Sequence, residues 1–462
     1  MRLLNTTTFE LENRSKSGIH PEPYAILSHR WLGDEEIKFQ ELGNYTAELR
    51  SGTRPLRLLQ VDKIRGACDI ARGKNLKWLW MDTCCIDKTD QREYAEAINS
   101  MFGWYRDAKL CITYLSDVRV HGGNPTRSSD YFKRMSGDLP SEWFSRGWTL
   151  QELLAPRNLE FYDMNWNYMG TKEQLAGVLA EITGIDAQFH SGGKDLSEAS
   201  IAAKMSWMSK RQTTFPEDRA YSMIGIFNIN MPLVYGETGP RAFRRLQELL
   251  LASPFMDESL FAWKMPDDDA GKECDVMLAD WEPGQWGLLA GSVDWFKESG
   301  DIQVPSGMAS QARSFKMTSE GMEAPICKQI QEGADIIATE AVSTVFWASI
   351  VGIPIGVGGF AALRHMLKKK AKEDYAFRLN CFRFGVDGKA ANVEVYLRPV
   401  YVDHVGVFHD LWNRRGNIRR AVRIPPLKVK GMRVRCKELG LSSKPITNYK
   451  DNGIVFQPKP KY

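Results

Sequence analysis

Glu152 is the residue whose setting points most directly to chemistry. It lies in Glu142-Trp-Phe-Ser-Arg-Gly-Trp-Thr-Leu-Gln-Glu-Leu-Leu-Ala-Pro156, where Trp143, Phe144 and Trp148 crowd large aromatics together and Gly147 permits a close approach. A carboxyl desolvated by such neighbours has a raised pKa, which suits it to acid–base work or to stabilising a cation. The competing reading is a solvated helix residue beside an aromatic core. A second group of candidates follows two short apolar runs. His29, Arg30 and Trp31 come directly after Tyr24-Ala-Ile-Leu-Ser28, and Asp82 directly after Trp78-Leu-Trp-Met81. Open α/β sheets bind ligands just beyond the C-terminal ends of their strands, so these side chains stand where a phosphate or ribose would be met. For His29 the plain alternative is a capping or packing role. Cys84 or Cys85 with His29 can be read as a thiol–imidazole pair, against the simpler reading of adjacent core cysteines. There is no P-loop, HExxH or GxSxG motif, and no cysteine spacing of the zinc type, so no metal is expected.

The elements that must position these residues are legible from periodicity. Tyr24–Ser28, Trp78–Met81 and Leu110–Leu115 read as buried strands, and Leu159–Tyr162 as a fourth. Asp34 or Glu35 can open a helix running through Phe39 and Leu42. Leu59–Gly73 carries helical spacing at Val61, Ile64, Cys68 and Ala71, and Glu93–Tyr105 does so at Tyr94, Ile98, Met101, Phe102 and Tyr105. Alternating strands and helices argue for a parallel sheet with helices on both faces. Val120–Pro140, rich in Gly, Ser, Pro and charge, reads as a mobile loop that delivers the chain to a short helix from Trp148, stopped by Pro156. Further helices are expected over Thr171–Thr183, Ser197–Lys210 and Gly239–Leu251. Arg211, Glu217, Asp218 and Arg219 read as a salt-bridge cluster bracing them against the sheet.

These stretches carry a family resemblance. Tyr24-Ala-Ile-Leu-Ser-His-Arg-Trp31, Trp80-Met-Asp-Thr-Cys-Cys-Ile-Asp87 and Arg146-Gly-Trp-Thr-Leu-Gln-Glu-Leu153 closely resemble the fungal heterokaryon incompatibility (HET) domain. So does the later run from Met205-Ser-Trp through Arg211-Gln-Thr-Thr and Glu217-Asp-Arg-Ala-Tyr221 to Tyr235-Gly-Glu237. The resemblance implies a part in the programmed death of fused, genetically different fungal cells, an immune-like recognition. HET domains are distantly similar to TIR domains, which have a flavodoxin-like fold. Some TIR domains cleave the nicotinamide–ribose bond of NAD, with a glutamate four residues after a tryptophan, the spacing of Trp148 and Glu152. The resemblance therefore implies Glu152 as catalytic residue and a nucleotide lying near His29, Arg30, Trp31, Asp82 and Trp148. NAD would be substrate, with no resident cofactor, and self-association would assemble the competent site. The alternative is a non-enzymatic signalling domain acting by self-association or partner binding.

The expected organisation is a TIR-like α/β core at 1–165, a helical extension packed on it at 166–265, and a small antiparallel β-rich domain at 266–462. An apolar insertion at 336–367 interrupts the last. Within it, 341–363 holds 23 residues without a charge, followed by Arg364 and Lys368-Lys-Lys370. That length fits one membrane crossing with a cytoplasmic basic flank, while Pro354 and the glycines favour a buried hairpin or loop. From Arg364 onward there are 23 Lys and Arg against 8 Asp and Glu, so the overall +4 hides a basic tail on an acidic front. Docking of tail on front accounts for this as well as an external partner does, and nucleic acid is not expected. The N-terminus has no apolar run of signal-peptide length. The scattered cysteines read as reduced thiols, which places the chain in the cytoplasm, or at a membrane if 341–363 inserts.

Overall fold

The chain opens with a hairpin that the sequence patterning does not announce, β1 (Arg2–Asn5) and β2 (Leu11–Asn13). Then come β3 (Tyr24–His29), α1 (Leu42–Ser51), α2 (Leu59–Gly73), β4 (Trp78–Trp80), α3 (Gln91–Asp107) and β5 (Leu110–Tyr114). The α4 helix (Thr149–Leu154) leads to β6 (Leu159–Tyr162) and β7 (Tyr168–Thr171). The helices α5 (Ala176–Thr183), α6 (Ala187–Ser191), α7 (Ile201–Ser209), α8 (Asp218–Tyr221) and α9 (Gly239–Leu251) follow. This computed structural model describes residues 1–13, 22–33, 36–51, 59–120, 122–254, 256–265, 285–286, 288–304, 315–318, 321–327, 375–384, 389–401, 429–442 and 449–456. The apolar run 341–363 lies outside them, and among the described residues no helix is long and apolar enough to cross a membrane. The chain divides into two compact units, Met1–Ala199 with Lys204–Leu250, and Ser200–Ala203 with Leu251–Tyr462.

The first unit is built on a sheet of order β2-β1-β4-β3-β5-β6-β7. Its centre, β4-β3-β5-β6, is parallel, and β1 and β7 join antiparallel at either side. In that centre the first strand along the chain lies between the second and third, the flavodoxin-type order, and β3 is where the order reverses. Every residue of β3, β4 and β6 is buried, as expected for strands covered on both faces. The α3 helix is capped by the Asp90 side chain, which accepts from the Arg92 and Glu93 amides, and buries Ala97, Ile98, Met101, Trp104 and Tyr105. Trp80 of β4 meets Trp104 and Tyr105 edge-on at centroid distances of 5.5 and 5.9 Å.

Three expectations change. The helix expected from Asp34 or Glu35 begins at Leu42, because Glu36 turns inward, its carboxylate accepting from the Leu32 amide and from Lys63. The helix expected from Thr171 begins at Ala176, because Thr171 ends β7. The Arg211–Arg219 stretch is not held by mutual ion pairs among Arg211, Glu217 and Asp218. Arg211 donates to the Arg146 carbonyl and the Thr149 hydroxyl, and Glu217 accepts from the Gly236 and Thr238 amides. Asp218 accepts from Trp148 and Tyr235.

The second unit is mainly a β-sheet. Its strands are β8 (Gln285–Trp286), β9 (Lys316–Thr318), β10 (Gly321–Cys327), β11 (Tyr375–Phe384), β12 (Ala390–Tyr401), β13 (Val429–Ser442) and β14 (Tyr449–Phe456). They run in the order β11-β12-β13-β14-β10-β9, with β8 on β13. All pairs are antiparallel except β13–β14.

Close packing around α3 gives a direct check on the first unit. A Cβ built on Gly225 would land on the Phe102 side chain. Gly225→Ala is therefore expected to cost about 1–3 kcal/mol through overpacking. Urea unfolding of the variant should show an earlier midpoint with an unchanged slope.

Candidate functional site

The last two residues of β3 point to opposite faces of the sheet, and each face holds a buried polar group. On one side, Ser28 Oγ donates to Glu152 Oε2 at 2.5 Å and accepts from Trp143 Nε1 at 2.9 Å. The local fold fixes this geometry. Ser141 caps the turn Glu142–Ser145, and the Thr149 hydroxyl ties α4 back to the Trp143 carbonyl at 2.6 Å. Trp143 packs edge-on against Phe144 and Phe161 at 5.1 and 5.8 Å. At Gly147 a Cβ would collide with Thr213, and its amide bonds to the Gln212 carbonyl at 2.8 Å, so the close approach expected there is used. At the far end α4 is capped by Lys172, whose ammonium meets the Leu153 and Pro156 carbonyls. Glu152 is buried. Burial pushes its carboxyl up to about 8, with Asp82 adding to the rise and Ser28, Arg211 and Tyr105 opposing it. At neutral pH it is mainly protonated.

On the other side His29 sits in a line of charges. Lys63 Nζ lies 3.0 Å from His29 Nδ1 and pairs with Glu36 Oε1. His29 Nε2 lies 3.2 Å from Asp82 Oδ1. With Lys63 donating to Nδ1, the imidazole carries its proton on Nε2 and donates it to Asp82. Asp82 Oδ2 accepts from Trp31 Nε1 at 2.8 Å, and Lys88 stands 3.5 Å away with its ammonium over the Trp31 ring. Burial would raise the Asp82 carboxyl, but Lys88, His29 and Trp31 together hold it below the usual carboxylate range. Lys63 goes the opposite way, lowered by burial against the pull of Glu36.

Of the residues expected at the site, His29, Trp31 and Asp82 are joined by direct hydrogen bonds, and Glu152 reaches them through Ser28, the neighbour of His29. Arg30 turns instead to Glu142, at 2.6 Å, which Arg134 also holds. Trp148 donates to Asp218 Oδ2 at 3.2 Å. Cys84 and Cys85 are buried free thiols, and the Cys84 thiol is held well above its usual range by its hydrogen bond to Cys85 and by burial, which disfavours the thiolate a nucleophile needs. Ser28, Glu36, Lys63 and Lys88 were not anticipated. For Lys63 a signal existed: it lies one turn after Gln60 and one before Ala67, on the face of α2 that is buried.

The family model of the heterokaryon incompatibility protein (HET) matches residues 24–136. The vegetative incompatibility protein HET-E-1 of Podospora anserina is 42% identical over 231 residues, which are 49% of this chain and 16% of that protein. The chain thus spans a small part of that relative's length. No solved structure matches it.

The buried line of charges makes a testable demand. Lys63→Met leaves Glu36 buried without its cation and is expected to cost roughly 3–5 kcal/mol. Combining it with Glu36→Gln should restore most of that loss in urea unfolding, since the pair is then removed together.

Proposed function

We propose that this chain, whose residues 24–136 are a HET domain, acts as an effector of heterokaryon incompatibility by hydrolysing the nicotinamide–ribose bond of NAD. One observation carries the reading. A buried, raised carboxyl, Glu152, stands beside the C-terminal end of β3, where the strand order reverses and where the His29–Asp82 pair lies on the other face of the strand. That end of a flavodoxin-type sheet is where nucleotides bind.

The chemistry follows from charge. NAD and water give ADP-ribose, nicotinamide and a proton. As the bond to nicotinamide breaks, positive charge passes from the pyridinium to the ribose, and an anionic carboxylate beside it lowers the barrier. The incoming pyridinium itself favours ionisation of Glu152, which releases its proton as the ligand arrives. Ser28 holds the carboxylate in place through one oxygen. Asp82, held by His29 and Trp31, would be the group that accepts from ribose hydroxyls.

A second reading is a signalling domain that binds without hydrolysis. It is favoured by the near-complete burial of Glu152 and by the claim of Ser28 on its carboxyl.

The full chain, incubated with NAD at several protein concentrations, is expected to release nicotinamide at a rate that climbs more than linearly with concentration. Because the carboxylate is the active form, kcat/KM should rise with pH through a midpoint near about 8. Glu152→Gln should lower it by at least about a hundredfold, on the scale of losing one electrostatic contact to the transition state. No release at any concentration or pH, from folded protein, would leave the binding reading in its place.

A further inference from the structure

Asp218 brings a further carboxyl group to this region. Its Oδ2 accepts from Trp148 Nε1, and its Oδ1 accepts from the Tyr235 hydroxyl at 2.9 Å. Tyr235 is the hub of an aromatic group. Tyr94 stacks on it at 6.3 Å, and Phe215 and Tyr221 meet it edge-on at 5.5 Å each. The Tyr94 and Tyr235 hydroxyls are 3.2 Å apart. Tyr221 is buried, its hydroxyl bonded to the Val234 backbone and to Glu237, so it is scaffold. Phe215 and Tyr235, by contrast, are 55% and 37% exposed.

Two features of this face select for a cation. A phenol that donates its proton toward a carboxylate has a more electron-rich ring, and ring faces attract cations through their quadrupole. Behind the rings, Asp218 brings a carboxyl whose hydrogen-bond donors, Trp148 and Tyr235, are neutral; burial raises it, and those two bonds and the charge of Arg146 oppose the rise. Of the nearby cations, Lys88 lies over Trp31 beside Asp82 and Arg146 donates to the Thr214 hydroxyl; both reach Asp218 by charge without a direct bond to it.

We propose that the Phe215–Tyr235 face, backed by Asp218, is a subsite for a flat organic cation, and that it takes the pyridinium ring of NAD. The cation preference stands on the face itself; the naming of the ligand rests on the hydrolase reading above. A chain of direct bonds leads toward Glu152. Tyr235 holds Asp218, Asp218 holds Trp148, and Trp148 precedes Glu152 by one helical turn.

The test compares two small probes on the full chain by calorimetry: N-methylnicotinamide bearing its methyl on the ring nitrogen, a cation, and nicotinamide, its neutral counterpart. The cation is expected to bind about tenfold more tightly, in line with a desolvated cation–ring contact. Phe215→Ala, at an exposed position, should remove most of that binding. Asp218→Asn should bring the two probes to within about threefold of each other. Tyr235→Phe keeps the ring and loses the donor, and should fall between. Circular dichroism spectra matching the parent establish that each variant is folded. Equal binding of the two probes, no binding of the cation, or cation binding that survives Phe215→Ala would overturn the subsite. Cation binding as described with no nicotinamide release from NAD would overturn the hydrolase reading and leave the subsite standing. Nicotinamide release without a cation preference would do the reverse.

Discussion

The two polar residues that end β3 set the constraint on which the first unit depends. A strand at the centre of a parallel sheet is buried on both faces, and β3 is apolar until Ser28 and His29. There each face must satisfy a polar group inside the protein. Ser28 does so with Glu152 and Trp143, which fixes α4 and the aromatic turn before it. His29 does so with Lys63 and Asp82, which fixes α2 and the loop after β4. Elements far apart in the chain are thereby locked to one strand end by hydrogen bonds that have no aqueous substitute, since an unpaired buried group costs more than the bond contributes.

The same constraint explains why ionisable groups here lie outside their ordinary ranges in opposite directions. Glu152 has a hydroxyl and an aromatic wall for neighbours, so burial governs it and the neutral acid is favoured. Asp82 is only half-buried, and an ammonium, an imidazole and an indole N–H surround it, so the anion wins. Two carboxyls near each other in different protonation states are the arrangement expected where one must change charge during a reaction and the other must keep it. Burial of Glu152 thus favours its uncharged form at neutral pH.

Much of this was legible in the sequence, for identifiable reasons. Apolar runs such as Trp78–Trp80 and the periodic faces of α2 and α3 report burial directly, so the parallel strands and their helices are readable. Glu152, His29 and Asp82 stand out because each follows an apolar or aromatic run. The hairpin β1–β2 was not legible, since Arg2–Asn5 and Leu11–Asn13 are too short to show a period. Lys63 and Glu36 were hidden for a different reason: a charged residue is read as exposed unless its partner is known, and theirs lies 27 positions away. Asp218 was misassigned on sequence proximity to Arg211 and Arg219, whereas its partners are an indole and a phenol brought in by the fold.

Glu152 on α4 is held as a neutral acid beside the end of β3 and ionises only near the alkaline side of neutrality. Infrared difference spectroscopy of the full chain against Glu152→Gln, taken across the pH range, reads that carboxyl directly. A protonated carboxyl band that is present at neutral pH, lost with a midpoint near about 8 and absent from the variant, is the result expected. A carboxylate signal for Glu152 already complete well below neutrality would contradict it.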